Sequence, residues 1–185
     1  MDDQVLAAAI NAQYSRVLTC LRKTVETCPD ELWDACDGTE APFWQQAMHV
    51  VFYAHLYLCA SDSAPEAIAN AESAMRELGA PMKDWSGAEV GRLGNTLGGL
   101  MHVGFRTPRM VTRPEIIERL NKADLALQGA IERLAKGGAT LSHPMSWMEG
   151  SALDLLLYNL RHVQHHVGRL HSLLGRRGKL RLHWH

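Results

Sequence analysis

No run of apolar residues in this 185-residue sequence approaches the roughly 20 needed to cross a bilayer as a helix. The opening MDDQVLAAAINAQ has two acids where a secretory signal would carry bases, so the expected location is the cytoplasm, with no membrane association. Charge of one sign is also missing. With 19 Lys and Arg against 20 Asp and Glu, the net charge of −1 draws the chain neither to nucleic acid nor to anionic lipid, and no nucleic-acid partner is expected. Cysteine is sparse: Cys20, Cys28, Cys36 and Cys59 stand eight or more residues apart with no CxxC pair. They read as reduced thiols rather than as a disulfide frame.

What is present is a globular composition, 46% apolar and 21% charged, in a chain long enough to bury a core without a structural metal. A metal bound here would serve function rather than folding. The anomaly is histidine, because six of the ten histidines fall after residue 160.

Helical periodicity accounts for most of the chain. From Gln4 to about Cys28, Val5, Ala9, Ala12, Val17, Leu21 and Val25 recur at helical intervals, and Pro29 ends the run. DELWDACDGTEAP reads as a loop carrying Trp33, and Pro42 stands where a helix can begin. From Phe43 to about Ala60 the chain is apolar and aromatic almost all round, which predicts a helix buried on most of its circumference. Pro65, Pro81, Pro108 and seven glycines break up 61–111, expected to be an irregular crossover with short helices near 65–78 and 88–102. A third long helix starts at a Thr112–Glu115 capping box, runs to about Lys136 and stops at Gly137-Gly138. After a polar loop with Pro144 and Trp147, Ser151 caps a fourth helix, expected to close at Gly175.

Four long helices without a strand pattern predict an all-α four-helix bundle over 1–175, followed by a basic, histidine-containing tail at 176–185. Short links favour antiparallel neighbours, while the long second connection allows a parallel pair. The expected arrangement is up-down-down-up.

In the fourth helix Leu153, Leu156, Leu160, Val163, Val167, Leu170 and Leu174 form one seam. Taking Leu160 as zero, the seam spans roughly 280° to 360°, with His162 near 200° and His166 near 240°. Residues four apart lie one above the other with Cβ atoms about 6 Å apart, close enough for two imidazoles to share a metal. His165, near 140°, points further toward solvent. A third ligand must come from elsewhere. The second helix offers His49 and His55, about 120° apart, of which His49 sits among Trp44, Ala47, Val50 and Tyr53, where a lone imidazole would be costly to bury. His49 is the better candidate. Asn159, near 260°, is an amide in want of a partner, such as a metal-bound water. His165 and His171 fit a solvated helix face better than a supporting role at the site. Trp33, Trp44, Trp85 and Trp147 fit core positions better than a pocket lining.

FWQQAMHVVFYAHLYL and NLRHVQHHVGRLHSLL closely resemble the two signature segments of the DinB/YfiT-like family of metal-dependent enzymes. That resemblance implies an up-down-down-up four-helix bundle holding one divalent ion, with His49 from the second helix and the His162/His166 pair from the last as ligands. Where the family pattern commonly continues Gly-Gln-Leu, this chain has Gly168-Arg169-Leu170, which leaves the ligands intact.

Three neutral histidines leave a coordination position for water or substrate, as catalytic rather than closed structural sites do. Some members of the resembled family are S-transferases or isomerases dependent on a low-molecular-weight thiol. The first expectation is therefore a transferase acting on a small-molecule substrate through a metal-activated thiol, with Zn or Ni as the metal. A hydrolase using metal-bound hydroxide is the alternative, although no acid–base residue stands out, and a non-enzymatic metal- or ligand-binding stress protein is the third. His183 and His185 flank Trp184 in a tail expected to be disordered rather than part of the site. A homodimer is also expected, from the resemblance and because Ala7, Ala8, Ile10, Tyr14 and Leu18 give the first helix more apolar surface than its seam needs.

Overall fold

A computed structural model of the protein describes residues 3–36, 41–58, 110–136, 140–141 and 150–182. Among these lie five helices, α1 (Asp3–Thr27), α2 (Asp30–Trp33), α3 (Phe43–Leu58), α4 (Arg113–Ala135) and α5 (Ala152–Gly178). Two short strands, β1 (Thr140–Leu141) and β2 (Gly150–Ser151), pair antiparallel just before α5. The short helices expected near 65–78 and 88–102, and the loop around Pro144 and Trp147, lie outside the described residues.

The direction of each helix follows from which ends touch. Arg22 on α1 donates to Asn121 and Asp124 on α4 at 2.9 Å, while Arg113 at the start of α4 donates to the Cys28 carbonyl at the end of α1. Those two helices are antiparallel. The Trp33 ring packs 5.5 Å from Phe43 and its indole donates to the Val111 carbonyl, so α3 and α4 start together. They also finish together, because Arg133 donates to the Leu58 carbonyl at 2.8 Å. Asn159 on α5 donates to the Ala54 carbonyl on α3 and His166 meets His49, which makes α3 and α5 antiparallel. Tyr14 donates to the Leu156 carbonyl and Thr24 meets His171, which makes α1 and α5 parallel. The bundle is up-down-down-up, with α3 packed between α4 and α5, and α1 diagonally opposite it.

Both arginine contacts place a cation on carbonyls that a helix end leaves without an intrahelical donor, the polarity that the helix dipole favours. Arg113 also bonds Asp30 at 2.8 Å and lies 5.1 Å over the Trp33 ring. The expected loop around Trp33 is therefore a single helical turn, α2, held between the ends of α1 and α4. Trp44, whose indole donates to Asp34, is likewise buried, and both tryptophans belong to the core.

α1 corrects the expected phase. Its buried face is Ala7, Ile10, Tyr14, Val17, Leu18, Leu21 and Val25, while Val5, Ala9 and Ala12 face outward. Alanine carries little weight in a periodic pattern, and the large side chains of Tyr14, Leu18 and Leu21 set the rotation, since they bury the most area. Of the five residues named on this helix for the dimer, only Ala8 remains exposed, and the apolar residues that α1 turns outward are instead Val5, Ala8, Ala9 and Ala12.

α4 begins as expected, with the Thr112 N–H and hydroxyl both donating to Glu115. α5 begins at Ser151, whose Oγ accepts from the Asp154 N–H at 3.1 Å. Hydrogen bonds from the Ser151 hydroxyl and N–H hold the Asp154 carboxyl below its ordinary range. The far end of α5 departs from expectation. Gly175 lies inside the helix, which continues to Gly178 and turns at Lys179 in a left-handed conformation (φ 54°), where the Leu180 N–H bonds back to the Leu174 carbonyl. Leu180 and Leu182 then fold onto the core. A Cβ on Gly178 would come within 3.0 Å of Leu32, so a residue without one stands where the end of α5 passes α2.

Candidate metal centre

α3 carries no Asp, Glu, Lys or Arg and buries nearly its whole surface, with Ala47 to Ala54 all inside. His49 sits in the middle of that stretch at 6% exposure. The buried arc of α5 differs from the expected seam. Ala152, Leu155, Asn159, His166 and Leu173 are buried, whereas Leu153 and Leu160 are only half-buried. On a helical wheel the centre of the arc lies near 280° rather than near 320°, a turn of about 40° toward the histidines. That rotation carries His166 fully inside (7% exposed) and leaves His162 half-buried at the edge.

The three sequence-predicted residues converge. His49 Nε2 lies 3.2 Å from His166 Nε2, and one ring nitrogen from each of His49, His162 and His166 falls within 4.8 Å of the others. Ring centroids are 4.5 Å apart for His49–His166 and His162–His166, and 5.5 Å for His49–His162. Three nitrogens on a tetrahedral ion at about 2.0–2.1 Å would stand about 3.3–3.4 Å apart, so small ring rotations suffice to seat one metal. His166 is also in the right protonation state. Burial, then the neighbouring His49 and His162, with smaller contributions from His165 and Arg169, push the pKa of His166 far below the imidazole range, so it is neutral and has a lone pair to give.

The remaining histidines are placed elsewhere. His165 is exposed, although its ring stands 5.1 Å from His166. His55 is half-buried and takes no part in the cluster. His171 corrects the expectation of a solvated position: it is half-buried in the α1–α5 seam, 2.7 Å from Thr24 Oγ1 and 3.8 Å from Cys20 Sγ. The Thr24 hydroxyl spends its proton on the Cys20 carbonyl at 2.7 Å, so His171 Nε2 carries the hydrogen and donates to Thr24. Asn159 is buried, as an amide beside the seam should be, but its Nδ2 donates to the Ala54 carbonyl at 3.1 Å and fastens α5 to α3. His183 and His185 lie outside the described residues.

Tyr53, named in the sequence only as a neighbour of His49, lies at the centre with two tyrosines that escaped notice there, Tyr57 and Tyr158. Tyr53 stacks 4.8 Å from His49 and 5.6 Å from His162, and Tyr57 stands 5.9 Å from His162. Tyr158 meets Tyr57 edge-on at 5.5 Å. Burial raises the pKa of both Tyr53 and Tyr57, so these are neutral hydroxyls. Their signal was present as spacing, since Tyr53 and Tyr57 follow His49 by four and eight residues and Tyr158 precedes His162 by four, which puts each on its histidine's face.

Fold and site together define a class: an up-down-down-up helical bundle with a buried three-histidine centre between its second and fourth long helices, able to hold a metal ion. The chain belongs to the DinB superfamily, whose sequence pattern matches residues 13–170. No curated protein and no solved structure matches it. No helix among the described residues is long and apolar enough to cross a membrane.

Proposed function

We propose that His49, His162 and His166 bind one divalent metal ion, Zn or Ni, and that the loaded protein is a transferase activating a low-molecular-weight thiol toward a small-molecule substrate. The observation that carries the metal reading is the meeting of three ring nitrogens within 4.8 Å across two helices of a nonpolar interior. When bound, the ion supplies Lewis acidity that lowers the pKa of a coordinated thiol toward neutrality.

The transferase reading is supported by what surrounds the histidines. α3 carries no Asp or Glu, and the single acid of α5, Asp154, is engaged at the helix start with Ser151. A thiol that ionises by ligation needs no separate base, whereas hydrolysis would draw on an acid–base group to protonate its leaving group. The chain's own residues have defined tasks. Tyr53 and Tyr57 hold the imidazoles of His49 and His162 by ring contact, and His162, the half-buried member of the three, is where the site meets its surroundings.

Protein purified without a histidine tag should carry about one divalent ion per chain by elemental analysis. His49→Ala, His162→Ala and His166→Ala should each abolish it, and full metal content in any one of them would remove that residue from the site. Thiol titration of the cobalt-substituted protein should produce a sulfur-to-metal charge-transfer band. A fully loaded site giving no band would refute the transferase reading while leaving the metal reading standing.

A further inference from the structure

The face of α5 that continues outward from the three histidines carries a guanidinium, Arg169. On a wheel with Leu160 as zero, His165, Tyr158, Arg169 and His162 stand near 140°, 160°, 180° and 200°, one stripe about 60° wide. Arg169 is three residues past His166, about 4.5 Å further along the axis, and seven past His162, so its stem starts beside the open side of the centre. It is exposed and makes no hydrogen bond or ion pair among the described residues. The other nearby arginine, Arg161, already lies 5.5 Å over the Tyr158 ring.

Among the described residues of α3 and α5, no carboxylate answers this charge. α3, the helix facing the stripe, has none. Asp154 lies eight residues before His162, roughly 12 Å along the axis, and is held by Ser151. On α4, Asp124 pairs with Arg22 and Glu118 approaches Lys122, both within α4 or between α4 and α1. Three neutral imidazoles leave the full charge of a divalent ion unbalanced in a site lined by aromatic rings, so the occupant that completes it is an anion. A ligand with two anionic groups a few ångströms apart could place one on the metal and the other on the guanidinium, whose planar fork suits a carboxylate.

Resting on the metal reading above, we infer that Arg169 is a specificity-determining residue that selects thiol ligands bearing a carboxylate. Its partner chemistry is a short mercaptocarboxylate, with sulfur toward the histidines and carboxylate at Arg169.

The test compares 3-mercaptopropionate with neutral 2-mercaptoethanol on the cobalt-loaded protein, following the charge-transfer band. In the wild type the carboxylate-bearing thiol binds about fivefold more tightly than the neutral one after correction for thiol pKa, the size of one partly exposed charge pair. Arg169→Gln removes that preference while leaving cobalt stoichiometry and the affinity for 2-mercaptoethanol unchanged, and Arg169→Lys restores part of it. Equal preference in wild type and Arg169→Gln overturns the inference, as does the absence of any band with 3-mercaptopropionate on loaded protein. Failure of the wild type to take up cobalt overturns the metal reading, and this inference falls with it.

Discussion

Lowering the pH of the metal-free protein tests the burial of His166 directly. The folded protein holds this uncharged imidazole at 7% exposure with its pKa depressed, first by burial and then by His49 and His162, while the unfolded chain titrates near the ordinary value of about 6.5. Because the folded pKa is the lower one, the unfolded state takes up the proton first as pH falls. Stability is complete above about pH 7.5 and is lost progressively as pH falls through 6.5 toward the depressed folded value. At pH 5.5 the unfolded imidazole is about ten parts protonated to one, and RT ln 11 gives a loss of about 1.4 kcal/mol from this side chain alone. With a urea m-value of about 2 kcal/mol/M, the unfolding midpoint of chelator-treated protein should fall by about 0.7 M between pH 7.5 and 5.5 from this group. Other histidines contribute their own shifts, so the informative quantity is the difference in pH dependence between wild type and His166→Leu. That variant replaces the titrating ring with an apolar side chain and should lose about 0.7 M of the wild-type pH shift, whatever its midpoint at pH 7.5. Identical pH dependence in the two proteins would mean that His166 is solvated or charged in the metal-free fold, and the argument for a preformed nitrogen cluster would fail. Zinc at a hundredfold excess over its dissociation constant should add about 2.7 kcal/mol at pH 7.5 in the wild type and nothing in the variant.

Tyr14→Phe should cost about 1 kcal/mol in urea denaturation, because it deletes the buried 2.7 Å hydrogen bond to the Leu156 carbonyl while keeping the ring, and an unchanged midpoint would show that bond to be dispensable. Lys179→Gly should stabilise the fold by about 0.5–1 kcal/mol, since the left-handed backbone there burdens any residue with a Cβ, and a lower melting temperature would contradict the cap geometry. His55→Ala should retain full metal uptake by elemental analysis, because this residue lies outside the cluster, and loss of metal with helix content preserved would place the site on another face of α3.

The sequence alone carried the four long helices, the Thr112 and Ser151 starts, the up-down-down-up order and the choice of three histidines that converge. These depend on local chemistry and on spacing along one chain: Pro29 cannot continue a helix, an i,i+4 pair shares a face, and a long connection permits a parallel neighbour. The tertiary structure decided how far each helix is rotated about its own axis. That rotation depends on which large side chains fill the space between helices, and residues on other helices determine it. Tyr14, Leu18 and Leu21 turn Val5, Ala9 and Ala12 outward, and the burial of Leu155, Asn159 and Leu173 turns α5 by about 40° so that His166 goes inside. His171 reaches Thr24, Asn159 reaches Ala54 and Tyr53 and Tyr57 reach His162 only because α1, α3 and α5 meet in space. The end of α5 passed Gly175 for a similar reason. A glycine permits a helix to stop without requiring it, and the last turns continue where Leu180 and Leu182 can fold back onto the core.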